Sequence, residues 1–216
     1  MRMPMGDAGL LTLIQWLSPA FPVGGFAWSH GLEAAISSGD VRTSGDVENW
    51  IGAVLCRGSG LSDAVLLCAA LDPEEDLHAL AALAEGLAAS RERWEETSAQ
   101  GAAFAQTVNA VSGSEVPSVA LPVAVGAAAR ALNLPAARVA ELYLNAFVTN
   151  LVSAAVRFVP LGQTEGQRIL ASLRSKILEV AAEATSTPVE CLGMGVPGAD
   201  LAAMAHETLE VRIFRS

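Results

Sequence analysis

Apolar residues recur at three- and four-residue intervals along almost the whole chain, and almost no run alternates apolar with polar positions as a half-buried strand would. This period predicts helices over residues 8–17, 26–37, 44–57, 61–71, 74–89, 91–111, 119–131, 135–158 and 166–184, with a short one near 199–206. The expected fold is all-α, a single-domain bundle of about ten helices. Punctuation supports several boundaries. Asp72-Pro73-Glu74-Glu75 offers an N-cap, a proline at the first helical position and a capping-box glutamate. Gly39 and Asn133-Leu134-Pro135 mark turns, and Pro160 closes the long helix 135–158, because a residue before proline avoids helical geometry.

Two stretches interrupt the helical pattern. Residues 18–36 read SPAFPVGGFAWSHGLEAAI: a proline-set extended segment and a Gly24-Gly25 turn, followed by a helix from Phe26 that would place His30 and Glu33 on one face. Such a turn would present Phe26, Trp28 and His30 for packing or for contact with a partner. From Thr187 the chain becomes rich in proline and glycine, passes through a short helix and ends in HETLEVRIFRS. An extended end with Val211, Ile213 and Phe214 beside Arg212 and Arg215 cannot bury itself alone. Either it docks on its own domain or a partner completes it. The expected division is a helical domain over 1–186 and a flexible, partner-binding C-terminal tail over 187–216.

Composition narrows the function classes. With 13 basic against 23 acidic side chains, the net charge of −10 repels phosphate backbones and anionic lipid, which argues against nucleic acid and membrane as partners and favours basic protein surfaces. Cys56, Cys68 and Cys191 are odd in number and widely spaced, so they form neither a disulfide framework nor a metal clip, and a reducing cytoplasm fits. The N-terminus lacks the apolar run and cleavage site of a signal peptide. The apolar stretch 145–156 is short for a bilayer span and runs into Arg157, which reads as a core helix.

Candidate chemistry falls away in turn. The only lysine, Lys176, follows Ser175 in a helical run, so there is no P-loop lysine to reach nucleotide phosphates. The Gly24-Gly25 pair and Gly193-Met194-Gly195 lack the preceding strand of a phosphate cradle and read as turns. His30, His78 and His206 are far apart, and the paired Glu-x-x-His motifs of a di-iron bundle are absent. No cofactor is expected. Asp72, Glu74, Glu75 and Asp76 form the acidic cluster a magnesium-diphosphate enzyme would need, which keeps a helical-bundle enzyme for a small or isoprenoid substrate as the alternative; helix capping explains the same residues. No Gly-x-Ser-x-Gly elbow occurs.

What remains is surface. Residues 150–168, NLVSAAVRFVPLGQTEGQR, turn a tight corner between two long helices, with Arg157 near the end of the first and Gln163, Gln167 and Arg168 beyond it. Taken with the 18–36 segment and the HETLEVRIFRS ending, in this order and at these separations, the chain resembles the urease accessory protein UreF family along essentially its whole length. The resemblance implies an all-α, non-enzymatic protein that dimerises, binds the accessory protein UreD (also called UreH) and through it recruits the GTPase UreG for nickel insertion into apo-urease. Residues matching the family motifs are Gly24, Gly25, Phe26, Ser29, Gly31 and Glu33 in the first. Arg157, Pro160, Gln163 and Gln167 match at the corner, and His206, Arg212, Phe214 and Ser216 at the end. Trp28 departs from the usual pattern. The resulting expectation for partner contacts is Gly24, Gly25, Phe26, Trp28, His30, Glu33, Arg157, Gln163, Gln167, His206, Arg212, Phe214 and Arg215, with Arg157 facing the GTPase and Arg212 in the partner-bound tail.

Overall fold

The computed structural model describes residues 5–159, 161–193 and 195–215; Pro160 and Ser216, two of the motif positions, lie outside the described residues, as does Met194. The helical period is realised as eleven α-helices among those residues. They are α1 (Met5–Trp16), α2 (Leu32–Ser38), α3 (Ser44–Arg57), α4 (Ser59–Ala70), α5 (Leu77–Leu87) and α6 (Arg91–Ser112). Then follow α7 (Leu121–Ala129), α8 (Ala136–Phe158), α9 (Gln163–Ser172), α10 (Arg174–Ala184) and α11 (Pro197–His206). Single 3-10 turns occupy Gly25–Ala27, Arg130–Leu132 and Val189–Cys191, and no strand is present among the described residues.

Helix α4 is the hub, packed against α3, α5, α7, α8 and α10. Its alanines and leucines suit close approach: a Cβ on Gly126 of α7 would collide with the Leu67 carbonyl of α4, so only glycine lets the two backbones come this near. Phe104, Leu13, Leu55, Leu66, Leu67 and Leu144 are fully buried in one continuous core. Two helical stretches, Ser44–Ala70 and Ala136–Phe158, are long and apolar enough to cross a membrane, yet 72% and 56% of their apolar windows are buried within the protein. That burial is what core helices show.

Several boundaries differ from the periodic reading, each for a local reason. The helix expected from Phe26 begins at Leu32, because Trp28 is extended (φ −126°, ψ 141°) and both His30 (φ 53°) and Gly31 (φ 74°) are left-handed. The α2 start is instead organised by Ser29, whose hydroxyl accepts the Glu33 amide at 3.2 Å. The cap expected at Asp72 belongs to Asp76, whose carboxylate accepts the His78 and Ala79 amides at 2.8 and 3.3 Å. Asp72 folds on itself as a turn, accepting the Glu74 amide at 2.9 Å. The capping box lies two helices earlier, where Thr43 and Asp46 bond reciprocally to each other's backbone amides at the start of α3. The single helix expected over 166–184 is two, broken at Leu173 beside Ser172, whose hydroxyl bonds back to the Ile169 carbonyl and so favours a bend.

The C-terminal segment takes the first of its two expected courses, docking on its own domain. The Arg215 amide donates to the Ala27 carbonyl at 2.8 Å, and Phe214 is buried. Helix α11 lies on α2, where a Cβ on Gly31 would come within 2.5 Å of the Ala203 amide nitrogen.

Capping energetics separate the two aspartates. Asp76→Ala is expected to lower the unfolding free energy by about 0.5–2 kcal/mol, and Asp72→Ala by no more than roughly 0.5 kcal/mol. Urea denaturation of the two variants beside the parent checks the ranking, and equal losses would refute the assignment of the cap.

Candidate partner-binding surface

The segment around Trp28, the end of α8 and the C-terminal residues converge on one place. At its centre Glu33 of α2 uses both carboxylate oxygens: Oε1 accepts the Ile213 amide and Oε2 the Phe214 amide, each at 2.9 Å. Glu33 Oε2 also faces His206 Nε2 at 3.0 Å, and His206 Nδ1 faces Glu92 Oε2 at 2.7 Å. Arg212 Nη1 then donates to Glu92 Oε1 at 2.6 Å. His206 is wholly buried and both carboxylates are nearly so. The chain Glu33–His206–Glu92–Arg212 therefore ties α2, α6, α11 and the last residues together by charge-assisted bonds, buried from Glu33 to Glu92 and reaching the surface at Arg212. Just beyond it, Glu207 Oε1 accepts the Arg91 amide at 2.8 Å, so the C-terminal segment also satisfies an orphan donor at the start of α6.

Around this latch the aromatic and basic groups interleave. Arg157 Nη1 donates to the Phe26 carbonyl at 3.0 Å and its guanidinium lies 5.8 Å from the Phe214 ring centroid. Phe158 packs on Phe214 at 5.3 Å, and Arg215 lies over Trp28 at 5.9 Å. Arg157 thus joins the first motif to the ending, rather than only capping its own helix.

The expected contact residues divide into two groups. Phe26, Arg157, Gln163, Gln167, Arg212 and Arg215 are exposed, the two glutamines one turn apart on α9. Gly24 holds the left-handed conformation its turn requires (φ 73°), and a Cβ on Gly25 would approach the Asn150 side-chain amide at 3.0 Å. Trp28, Glu33, His206 and Phe214 are buried, so they hold the surface in shape and do not display side chains on it. His30 and Glu33 do not share a face: the left-handed bend sends His30 to Glu96 at 3.1 Å, while Glu33 meets His206.

His30 leads into a second buried cluster that the sequence reading missed. Arg93 Nη2 pairs with Asp63 Oδ2 at 2.7 Å, the Tyr143 hydroxyl donates to the same oxygen at 2.9 Å, and Arg93 Nη1 lies 3.4 Å from Glu96 Oε2. Gln100 Nε2 donates to Glu96 Oε1 at 3.0 Å. Burial disfavours the Arg93 charge, but the Asp63 and Glu96 carboxylates outweigh it and hold its proton more firmly than usual. Burial would likewise raise the Glu96 carboxyl, yet His30 and Arg93 bring it below the ordinary carboxylate value. Burial, then the Asp63 charge, push the Tyr143 hydroxyl well above its usual range. A signal for this cluster was present: Glu92, Glu96 and Gln100 recur every four residues in register with Phe104 and Val108, so polar groups occupy the buried face of α6.

None of this assembles a catalytic constellation. Among the described residues no three His, Cys, Asp or Glu side chains are placed to hold a metal ion. Asp72 and Asp76 are exposed, with their carboxylates engaged by backbone amides. The arrangement is an all-helical domain whose buried charges fix the position of its own C-terminal segment. The sequence profile described as UreF matches residues 41–174. A urease accessory protein UreF of Cereibacter sphaeroides (strain KD131) is 57% identical over 213 residues, covering 97% of this chain and 100% of that protein. Those of Jannaschia sp. (strain CCS1) and Roseobacter denitrificans are 55% and 46% identical, over 96% and 100% of this chain and 94% and 97% of their own lengths. The chain belongs to the urease accessory protein UreF family, whose members are maturation factors and not enzymes.

Removing the Glu33 carboxylate unpairs two amides and one side of His206 at once. Glu33→Ala is expected to cost about 3–5 kcal/mol, the scale for breaking a buried charged pair, and to abolish amide-exchange protection at Ile213 and Phe214. Retained protection would refute the latch. The Glu96 carboxyl makes a separate prediction about pH. Its folded pKa lies below the unfolded value near 4.5, so the folded state binds fewer protons in mild acid. Its stabilisation is complete above that unfolded value and is lost as pH falls through the depressed folded one. Glu96→Gln should therefore flatten the acid limb of stability in urea titrations between pH 7 and about 3.

Proposed function

We propose that this protein is a non-catalytic adaptor in urease maturation, acting in the cytoplasm: it binds UreD (UreH) and through it recruits the GTPase UreG, so that nickel is inserted into apo-urease. Family membership supports the general role. The observation that carries the specific reading is the exposed apolar ridge on α11 and the last residues. Val211 and Ile213 are 83% and 74% exposed, with Leu201 and Met204 exposed on α11, while Glu33 beneath holds the Ile213 and Phe214 amides in place. Exposed apolar residues on an ordered support mark an interaction site, and a preordered segment loses less entropy on binding than a free one.

The corner supports a second contact. Arg157 is exposed with its guanidinium on the Phe26 carbonyl, Gln163 and Gln167 are exposed on α9 just after it in the chain, and we assign these basic and amide-bearing groups to the GTPase. Leu11 and Ile14, three positions apart and exposed on α1, form an apolar stripe suited to pairing with a second copy, so the working unit is a homodimer.

Co-expression with cognate UreD and UreG tests the assignment. The double variant Val211→Ser, Ile213→Ser leaves the latch intact and should keep the parent's unfolding midpoint while losing co-purification with UreD. Arg157→Ala should keep folding, dimerisation and UreD binding while weakening UreG recruitment. Unchanged association in both variants would refute these two faces, and absence of all association with the parent would refute the adaptor reading itself.

A further inference from the structure

His206 is wholly buried between two carboxylates, with Nε2 at 3.0 Å from Glu33 Oε2 and Nδ1 at 2.7 Å from Glu92 Oε2. A neutral imidazole has one N–H and one lone pair, so it can donate to one of these oxygens and must turn its lone pair on the other. Both contacts are hydrogen bonds only when both ring nitrogens carry protons.

Charge counting leads to the same state. The Glu33 and Glu92 side chains are each 3% exposed, and among the described residues one guanidinium, that of Arg212, reaches them, at Glu92 Oε1. The other donors to the Glu33 carboxylate are the uncharged Ile213 and Phe214 amides. Neighbouring charges are engaged elsewhere. Arg91 pairs with Glu95 and Glu207 at the start of α6, Arg93 with Asp63 and Glu96, and His30 with Glu96 one turn further on. Asp200, on α11 itself, faces Gly195. Two buried negative charges against one positive leave a carboxylate uncompensated, which is costly away from water, and one proton on His206 removes that cost. The proton belongs on the ring, because hydrogen bonds from the two amides and from Arg212 favour the ionised form of both carboxyls.

We propose that the C-terminal segment is a proton-dependent latch, docked while His206 is an imidazolium shared by Glu33 and Glu92 and released when that proton is lost. A histidine in water is neutral above about pH 6.5, so docking takes up one proton and weakens as pH rises. Release would take Val211 and Ile213 off their ordered support; that consequence, unlike the latch itself, rests on the adaptor reading.

Nuclear magnetic resonance of the full chain tests the latch with two readouts. Imidazole nitrogen shifts of His206 should show both ring nitrogens protonated at about pH 7.5, where a histidine in water is neutral. Fluorine-labelled phenylalanine, assigned with Phe214→Leu, should show Phe214 passing from a buried to a free position between about pH 7 and about pH 10, the docked-to-released ratio falling by about tenfold per pH unit. Helical circular dichroism should be retained throughout. Glu92→Gln removes one of the two negative charges, so its Phe214 signal should stay docked over the same range. Should that variant fail to fold, the two readouts on the parent decide alone. A neutral His206 ring with Phe214 docked, a Phe214 signal that does not move, one that moves only with loss of circular dichroism, or a folded Glu92→Gln that releases as the parent does would each overturn the proposal. All of these are read without a partner, so they leave the adaptor reading to its own test.

Discussion

The architecture around the C-terminal segment depends on the carboxylate of Glu33. A segment of ten residues at the C-terminus has too few apolar contacts to order itself, so its position must be set by directional bonds from the domain. Glu33 provides three of these, two to backbone amides and one to His206, inside a region that water does not reach. The low dielectric that makes an unpaired carboxylate costly there also makes a paired one strongly orienting. With Glu92 holding the far side of His206 and Arg212 besides, the last residues share the rigidity of α2 and α6.

The bend before α2 is the other half of that constraint. His30, a non-glycine residue in the left-handed region, is held there by Glu96 and by Ser59 at 3.4 Å, and Gly31 next to it is pressed against α11. Strain of this kind, of order 1–3 kcal/mol, persists only where surrounding contacts over-determine the conformation. Its effect is to end the extended run at Trp28 and aim Glu33 toward the C-terminal segment. The two buried charge clusters therefore lie one turn apart on the same face of α6, through Glu92 and Glu96, one holding the bend and the other holding the end of the chain.

Buried charge in these amounts is a poor way to gain stability, since apolar residues of similar size often serve as well or better. Its use here fits a role in specifying one arrangement of surfaces. The exposed residues Phe26, Arg157, Val211 and Ile213 come from chain positions nearly two hundred residues apart at the extremes, and the latch brings them to one end of the molecule. A maturation factor works through such surfaces.

The local period of the sequence determined the all-α class and most helix positions, because a 3.6-residue apolar stripe has few ways to be buried other than against helices. It also determined what the chain lacks in recognisable motifs, such as a P-loop lysine, and the three stretches that carry the family resemblance. Short-range chemistry with equivalent alternatives was not legible. Asp72 and Asp76 are both competent caps, and only the packing of α5 on α4 and α7 chose the second. The helix from Phe26 was reasonable by composition, but backbone dihedrals at His30 and Gly31 are set by contacts with Glu96 and Ala203, far away in the chain. For the same reason, tertiary structure alone decided that His30 and Glu33 part company, that Trp28 is buried, and that the C-terminal residues dock. A carboxylate's partners are fixed by where folding brings the chain, and sequence separation carries no record of that.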